Sequence, residues 1–260
     1  MVMRKSKRSR TQGGRLLCII SMTAIYTVNS LVISPLATVL SSDVVYADTV
    51  LPILLSYIAE FSEICAISVC YAVMLLTLYR SERTGKIFVI FGAVTAYKYT
   101  ANIALYWAMS GSIPATWVWD ITNVIYFTAL ELAQLLVIFL FARAIIGKYN
   151  EKKLVAQRVF EKTGEKVEMA EIYPFKSIYH KDNCLLRSAR VCALVTFIAK
   201  LLGTVVDDAW TIIAYGMPKE WQTWLYMAIN YASKATFGIV VYIVIYTVLQ
   251  TVLRKESRKN

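Results

Sequence analysis

Six long apolar stretches dominate the chain, at 16–40, 50–79, 87–110, 118–147, 188–216 and 223–253, separated by short charged or polar segments. At about 1.5 Å per residue, each is long enough as a helix to cross roughly 30 Å of bilayer hydrocarbon. The pattern predicts an all-α integral membrane protein, a six-transmembrane-helix bundle. A basic tail (1–15), a polar loop (148–187) and a second basic tail (254–260) lie outside it. Pro35 predicts a kink in the first span, whereas Pro52 falls in the first turn of the second, where its missing N–H costs nothing. A signal peptide with a Val45-Tyr46-Ala47 cleavage site is disfavoured, because the apolar run before it far exceeds an h-region of about 7–15 residues.

The fourth span breaks the apolar pattern in a regular way. Asp120, Asn123, Phe127, Glu131 and Gln134 recur at helical steps of three and four, so they share one stripe on a helix otherwise built of Leu, Ile, Val, Phe and Ala. A stripe of that kind must face protein or water. Other spans carry shorter polar sets: Glu60 with Glu63, Lys98 with Asn102, Lys200 with Thr204 and Asp207 (Asp208 beside them), and Asn230 with Lys234.

Charge sets the expected orientation. Of 28 Lys and Arg residues, 24 lie in 1–15, 80–86, 143–190 and 254–259, which places those segments and both termini in the cytoplasm. All six tryptophans (107, 117, 119, 210, 221 and 224) then fall near the outer ends of spans three to six, as an interfacial belt. The net charge of +11 follows from this asymmetry and requires no nucleic acid. A weak echo between Val94-Thr95…Lys98 and Val195-Thr196…Lys200, and between Pro114…Trp117 and Pro218…Trp221, suggests duplicated hairpins. The expected location is the plasma membrane of a prokaryotic cell.

Nine ionisable residues lie within spans: Glu60, Glu63, Lys98, Asp120, Glu131, Lys200, Asp207, Asp208 and Lys234. An Asp, Lys or Arg at a helix centre costs about 2.5–3.5 kcal/mol on insertion, so nine facing lipid would approach about 20 kcal/mol. They are expected to face inward and to pair. Ion pairs that only fix helix register are one reading of such a set. Six acids and three bases exceed what register needs, and favour a polar cavity for a small solute or ion. The candidate binding residues are these nine with Asn102, Asn123, Gln134 and Asn230.

Composition narrows the chemistry. The chain is 58% hydrophobic with a mean hydropathy of +0.54, which leaves no soluble domain. Five cysteines without CxxC spacing and a single histidine, His180, argue against disulfides and against a metal site, and no cofactor is expected. GxSxG, HExxH and GxxxxGK[ST] are all missing, and Asp207-Asp208 is an isolated acidic pair, so no catalytic residue is assigned. The favoured reading is a small-solute transporter or a substrate-binding membrane subunit. The alternative is a membrane interaction protein whose loop 148–187, with nine basic and six acidic residues, docks a cytoplasmic partner or anionic lipid through Lys152, Lys153, Arg158, Lys176 and Lys181. A membrane enzyme of other chemistry ranks below both.

Overall fold

The computed structural model describes residues 2–42, 51–111, 117–164, 184–217 and 221–257. Among these every regular element is helical: α1 (Val2–Val28), a π-helical turn (Asn29–Ile33), α2 (Ser34–Ser42), α3 (Leu51–Tyr79), α4 (Gly85–Ser110), α5 (Trp117–Thr163), α6 (Cys184–Tyr215) and α7 (Trp221–Ser257). Six stretches of 22 to 36 residues are long and apolar enough to cross a membrane, and they match the six expected from hydropathy. Lys176 and Lys181 lie outside the described residues, as do most of the loops expected on the outer side.

The kink expected at Pro35 takes the form of the π turn just before it. Proline has no N–H to give to the carbonyl four residues back, and its ring crowds that carbonyl. The helix widens instead, and the Ser34 N–H bonds the Asn29 carbonyl, five residues back. α4 ends on Gly111, whose φ of 68° is the left-handed cap that glycine adopts without a steric penalty.

The chain divides into two compact units, residues 1–136 and 137–260. In the first, α1 and α2 pack along α3, and α1 and the π turn also meet α4. α3 is the enclosed member: 67% of its apolar window is buried, against 28% or less for every other span. From Ile64 to Leu76 nearly every α3 side chain is buried, and α1 answers with Cys18, Met22, Tyr26 and Asn29 at steps of four, four and three. The outward faces of the spans are apolar, with Val89, Trp119 and Ile213 at least 70% exposed, as contact with lipid chains requires.

In the second unit α6 and α7 pack along each other. Phe237, Val241, Ile245, Leu249 and Leu253 form one buried stripe at steps of four, facing a stripe with Ala189, Cys192 and Thr196. Gly238 allows the close approach, because a Cβ there would sit 3.1 Å from the Phe197 Cβ and 3.3 Å from the Ala193 carbonyl oxygen. Small residues at such contacts are a common device for helix pairs in membranes. Gly238→Ala is expected to destabilise this pair by about 1–3 kcal/mol through overpacking. Gly203→Ala, on the open side of α6, is the control. Thermal unfolding in detergent reads both, and a Gly238→Ala protein as stable as the control would refute the close-contact argument.

Candidate functional site

The polar residues of the first unit converge from four elements. Glu63 on α3, Lys98 on α4 and Glu131 on α5 form an ion triad: the Lys98 Nζ lies 2.6 Å from Glu63 Oε2 and 3.7 Å from Glu131 Oε1. Their side chains are 13–19% exposed, so the charges sit among protein atoms rather than in lipid. Helix geometry explains the meeting. Each charge lies on the protein-facing side of its own span, where inserting it costs far less than facing hydrocarbon.

Hydrogen bonds extend the triad. The Tyr99 hydroxyl donates to Glu131 Oε1 at 2.7 Å, and Thr95 reaches Glu131 Oε2 at 3.4 Å. From the π turn, the Asn29 amide donates to the Ala59 carbonyl at 3.0 Å, to Ser62 Oγ at 3.1 Å and to Glu63 Oε1 at 3.2 Å. Lys98 is flanked by two rings, its Nζ 5.2 Å from the Tyr26 centroid and 4.9 Å from that of Tyr99. Rings beside a poorly hydrated ammonium add cation–π attraction. Tyr26 is completely buried, yet its hydroxyl has no hydrogen-bond partner among the described residues.

The stripe on α5 is engaged along its length. Trp107 Nε1 donates to Asp120 Oδ2 at 2.9 Å, Phe127 stacks on Tyr99 at 5.4 Å between centroids, and Gln134 donates to the Tyr71 hydroxyl at 3.0 Å. Asn123 is exposed, and so is Asn102 on α4. Glu60 is half-buried one turn before Glu63. Between α4 and α5, beside the Trp107–Asp120 contact, a cleft of about 250 Å³ is lined by Thr100, Ile103, Ala104, Ile121, Val124 and Ile125. Its lining is apolar.

The remaining candidates belong to the second unit. Lys234 is buried with its Nζ 5.2 Å from the Phe237 ring, and Lys200 and Asn230 are half-buried. Asp208 is half-buried, while Asp207 is exposed. Neighbours on a helix point about 100° apart, so only one of that acidic pair can face α7. Lys152 and Arg158 are exposed on the far end of α5. Among the described residues no three His, Cys, Asp or Glu side chains gather as metal ligands do.

Asn29 and Tyr26 are the residues that the sequence patterns did not single out. The signal was present in the stepping of Cys18, Met22, Tyr26 and Asn29, the same periodicity that marks α5. It was muted because three of the four are ordinary apolar or aromatic residues of a membrane helix. The amide of Asn29 makes a measurable prediction. Asn29→Leu removes the donor to Glu63 and Ser62 and is expected to destabilise the unit by about 1–3 kcal/mol, whereas a melting temperature equal to wild type would show that the amide contributes nothing net.

Six apolar helices, with apolar faces outward and a paired charge cluster inside, define an integral, multi-pass, all-helical membrane protein in contact with the lipid bilayer. Comparison with protein-family models, with curated proteins and with solved structures found no match.

Proposed function

We infer that this is a small-solute transporter, or the substrate-binding membrane subunit of one, and that its charged membrane interior is the binding region. The observation that carries the reading is the Glu63–Lys98–Glu131 triad, with Asn29, Tyr99 and Tyr26 around it. Buried ion pairs contribute little net stability compared with apolar residues of similar volume. A triad that costs this much to insert, on helices that could have packed through apolar contacts, is more readily explained by a ligand than by register. Ionisable groups within spans mark substrate and ion pathways by default.

On this reading Glu131 and Lys98 hold the charged part of the solute within the first unit, with Asp120 towards its entrance. Lys200, Lys234, Asp207 and Asp208 are the candidates within the second unit. The testing experiment is purification of the protein in mild detergent from its native membrane, with mass spectrometry of the small molecules and proteins that accompany it. A stoichiometric small molecule, lost on Glu131→Gln, supports the reading and names the solute; loss on Lys200→Met instead would place its binding in the second unit. A preparation without a small molecule, in which Lys152→Ala and Arg158→Ala release a bound protein, favours the interaction reading instead. That second reading rests on the exposed Lys152 and Arg158, interleaved on α5 with exposed Leu154, Val155 and Val159.

A further inference from the structure

Within its apolar spans the first unit holds more acidic than basic groups. Between residues 16 and 136, its helices hold Glu60, Glu63, Asp120 and Glu131 but one basic residue in their apolar parts, Lys98. The ammonium is committed to Glu63 at 2.6 Å, leaving Glu131 a longer contact of 3.7 Å. The oxygens of Glu131 are unequally served: Oε1 accepts from Tyr99 and faces Lys98, whereas among the described residues Oε2 has a single contact, Thr95 at 3.4 Å. An ionised carboxylate out of water with so little compensation is costly.

A second, independent observation points to the same place. Tyr26 lies against Lys98, is 0% exposed, and leaves its hydroxyl without a partner among the described residues. Tyr26 thereby belongs to the same cluster as Glu131, since the Lys98 Nζ lies 5.2 Å from the Tyr26 centroid and 3.7 Å from Glu131 Oε1. Buried hydroxyls are nearly always bonded, so an orphan beside an under-compensated carboxylate suggests that something is to be bound between them.

We propose that Glu131 Oε2, with Thr95 and the Tyr26 hydroxyl, binds a small monovalent cation. The charge of the ligand follows from the triad: two carboxylates and one ammonium leave one negative charge, which a monovalent cation neutralises and a divalent one would overshoot. The donors follow too, since carboxylate and hydroxyl oxygens suit hard cations and hydrogen-bond an ammonium group equally well. On the remaining face Asn29, itself bonded by Ser62, holds Glu63 in place, so that Lys98 stays on Glu63 and Glu131 stays available.

The inference uses the same cluster as the transport reading but does not require transport. The test is thermal unfolding of the purified full chain in lipid nanodiscs, at fixed pH and ionic strength. N-methylglucamine chloride is replaced stepwise by sodium, potassium or methylammonium chloride. Wild-type protein is expected to show a saturable rise in melting temperature with at least one of the three, because a ligand of the folded state stabilises it by mass action. Sodium or potassium would identify an inorganic ion, and methylammonium alone an amine-bearing solute. Glu131→Gln should abolish the rise. Tyr26→Phe, which keeps the ring and its packing, should raise the half-saturating concentration about tenfold.

Glu151→Gln, exposed on α5 in the other unit, should leave the rise unchanged. Equal melting in all four salts overturns the proposal, as does a wild-type response in Glu131→Gln or in Tyr26→Phe. A cation response without solute uptake would refute only the transport reading, and uptake with equal melting only this one.

Discussion

Lys98→Met is expected to destabilise the protein by about 3–5 kcal/mol, the usual cost of removing one partner from a buried ion pair. Methionine preserves the length and much of the packing of the lysine stem, so the loss is electrostatic. It leaves Glu63 without its 2.6 Å partner and Glu131 without its 3.7 Å one. The double variant Lys98→Met/Glu63→Gln should recover most of the loss, because one of the stranded carboxylates is then gone. Glu131 meanwhile keeps its bond from Tyr99. Thermal unfolding of these two variants and of Glu63→Gln alone in mild detergent measures the coupling as a double-mutant cycle. A single variant that melts with the wild type, or a double variant as unstable as the single, would show that the triad is not a coupled unit.

Glu131→Gln has the opposite profile. Glutamine has the same shape, and its carbonyl oxygen still accepts from Tyr99, so folding should be nearly unchanged. What disappears is the charge. If Glu131 binds the charged part of a solute, replacing a charge-assisted bond by a neutral one removes about 1.5–3 kcal/mol. That corresponds to about a ten- to hundredfold loss of uptake. The measurement is uptake into proteoliposomes of the solute identified by co-purification, with melting temperature as the control. Full uptake by a well-folded Glu131→Gln protein would refute a binding role for this residue.

Most of the architecture was legible in the hydropathy, because lipid imposes a simple demand on composition and length. The stripe on α5 was legible for the same reason, since polar groups in an apolar helix stand out. Its outlier has a geometric cause. Taking Asp120 as reference, Glu131 lies about 20° to one side and Asn123 about 60° to the other, so Asn123 falls at the edge of the arc. It emerges exposed, while Asp120, Phe127, Glu131 and Gln134 find partners.

Which charge pairs with which was not legible. Glu63 and Lys98 are separated by 35 positions, and hydropathy carries no information on how two helices are rotated towards each other. The Cys18–Asn29 stripe was readable in principle. The role of Asn29 was not, because it depends on a local widening of the helix that Pro35 hints at without fixing its place.

That widening has a bearing on how the chain tolerates insertions and deletions. A π turn holds one residue more than the α-helix around it requires, so the helix before Asn29 and the segment Ser34–Ser42 keep separate counts. Losing a single codon between residues 30 and 33 would let regular α geometry run through with little change of phase, because the π turn spreads its extra residue over about the same rotation, so Ser34–Ser42 would keep its present face on α3. The Asn29 carbonyl would still accept from the same serine N–H, now one residue closer in the chain. A one-residue insertion elsewhere in this span, with no widening to absorb it, would turn everything beyond by about 100°.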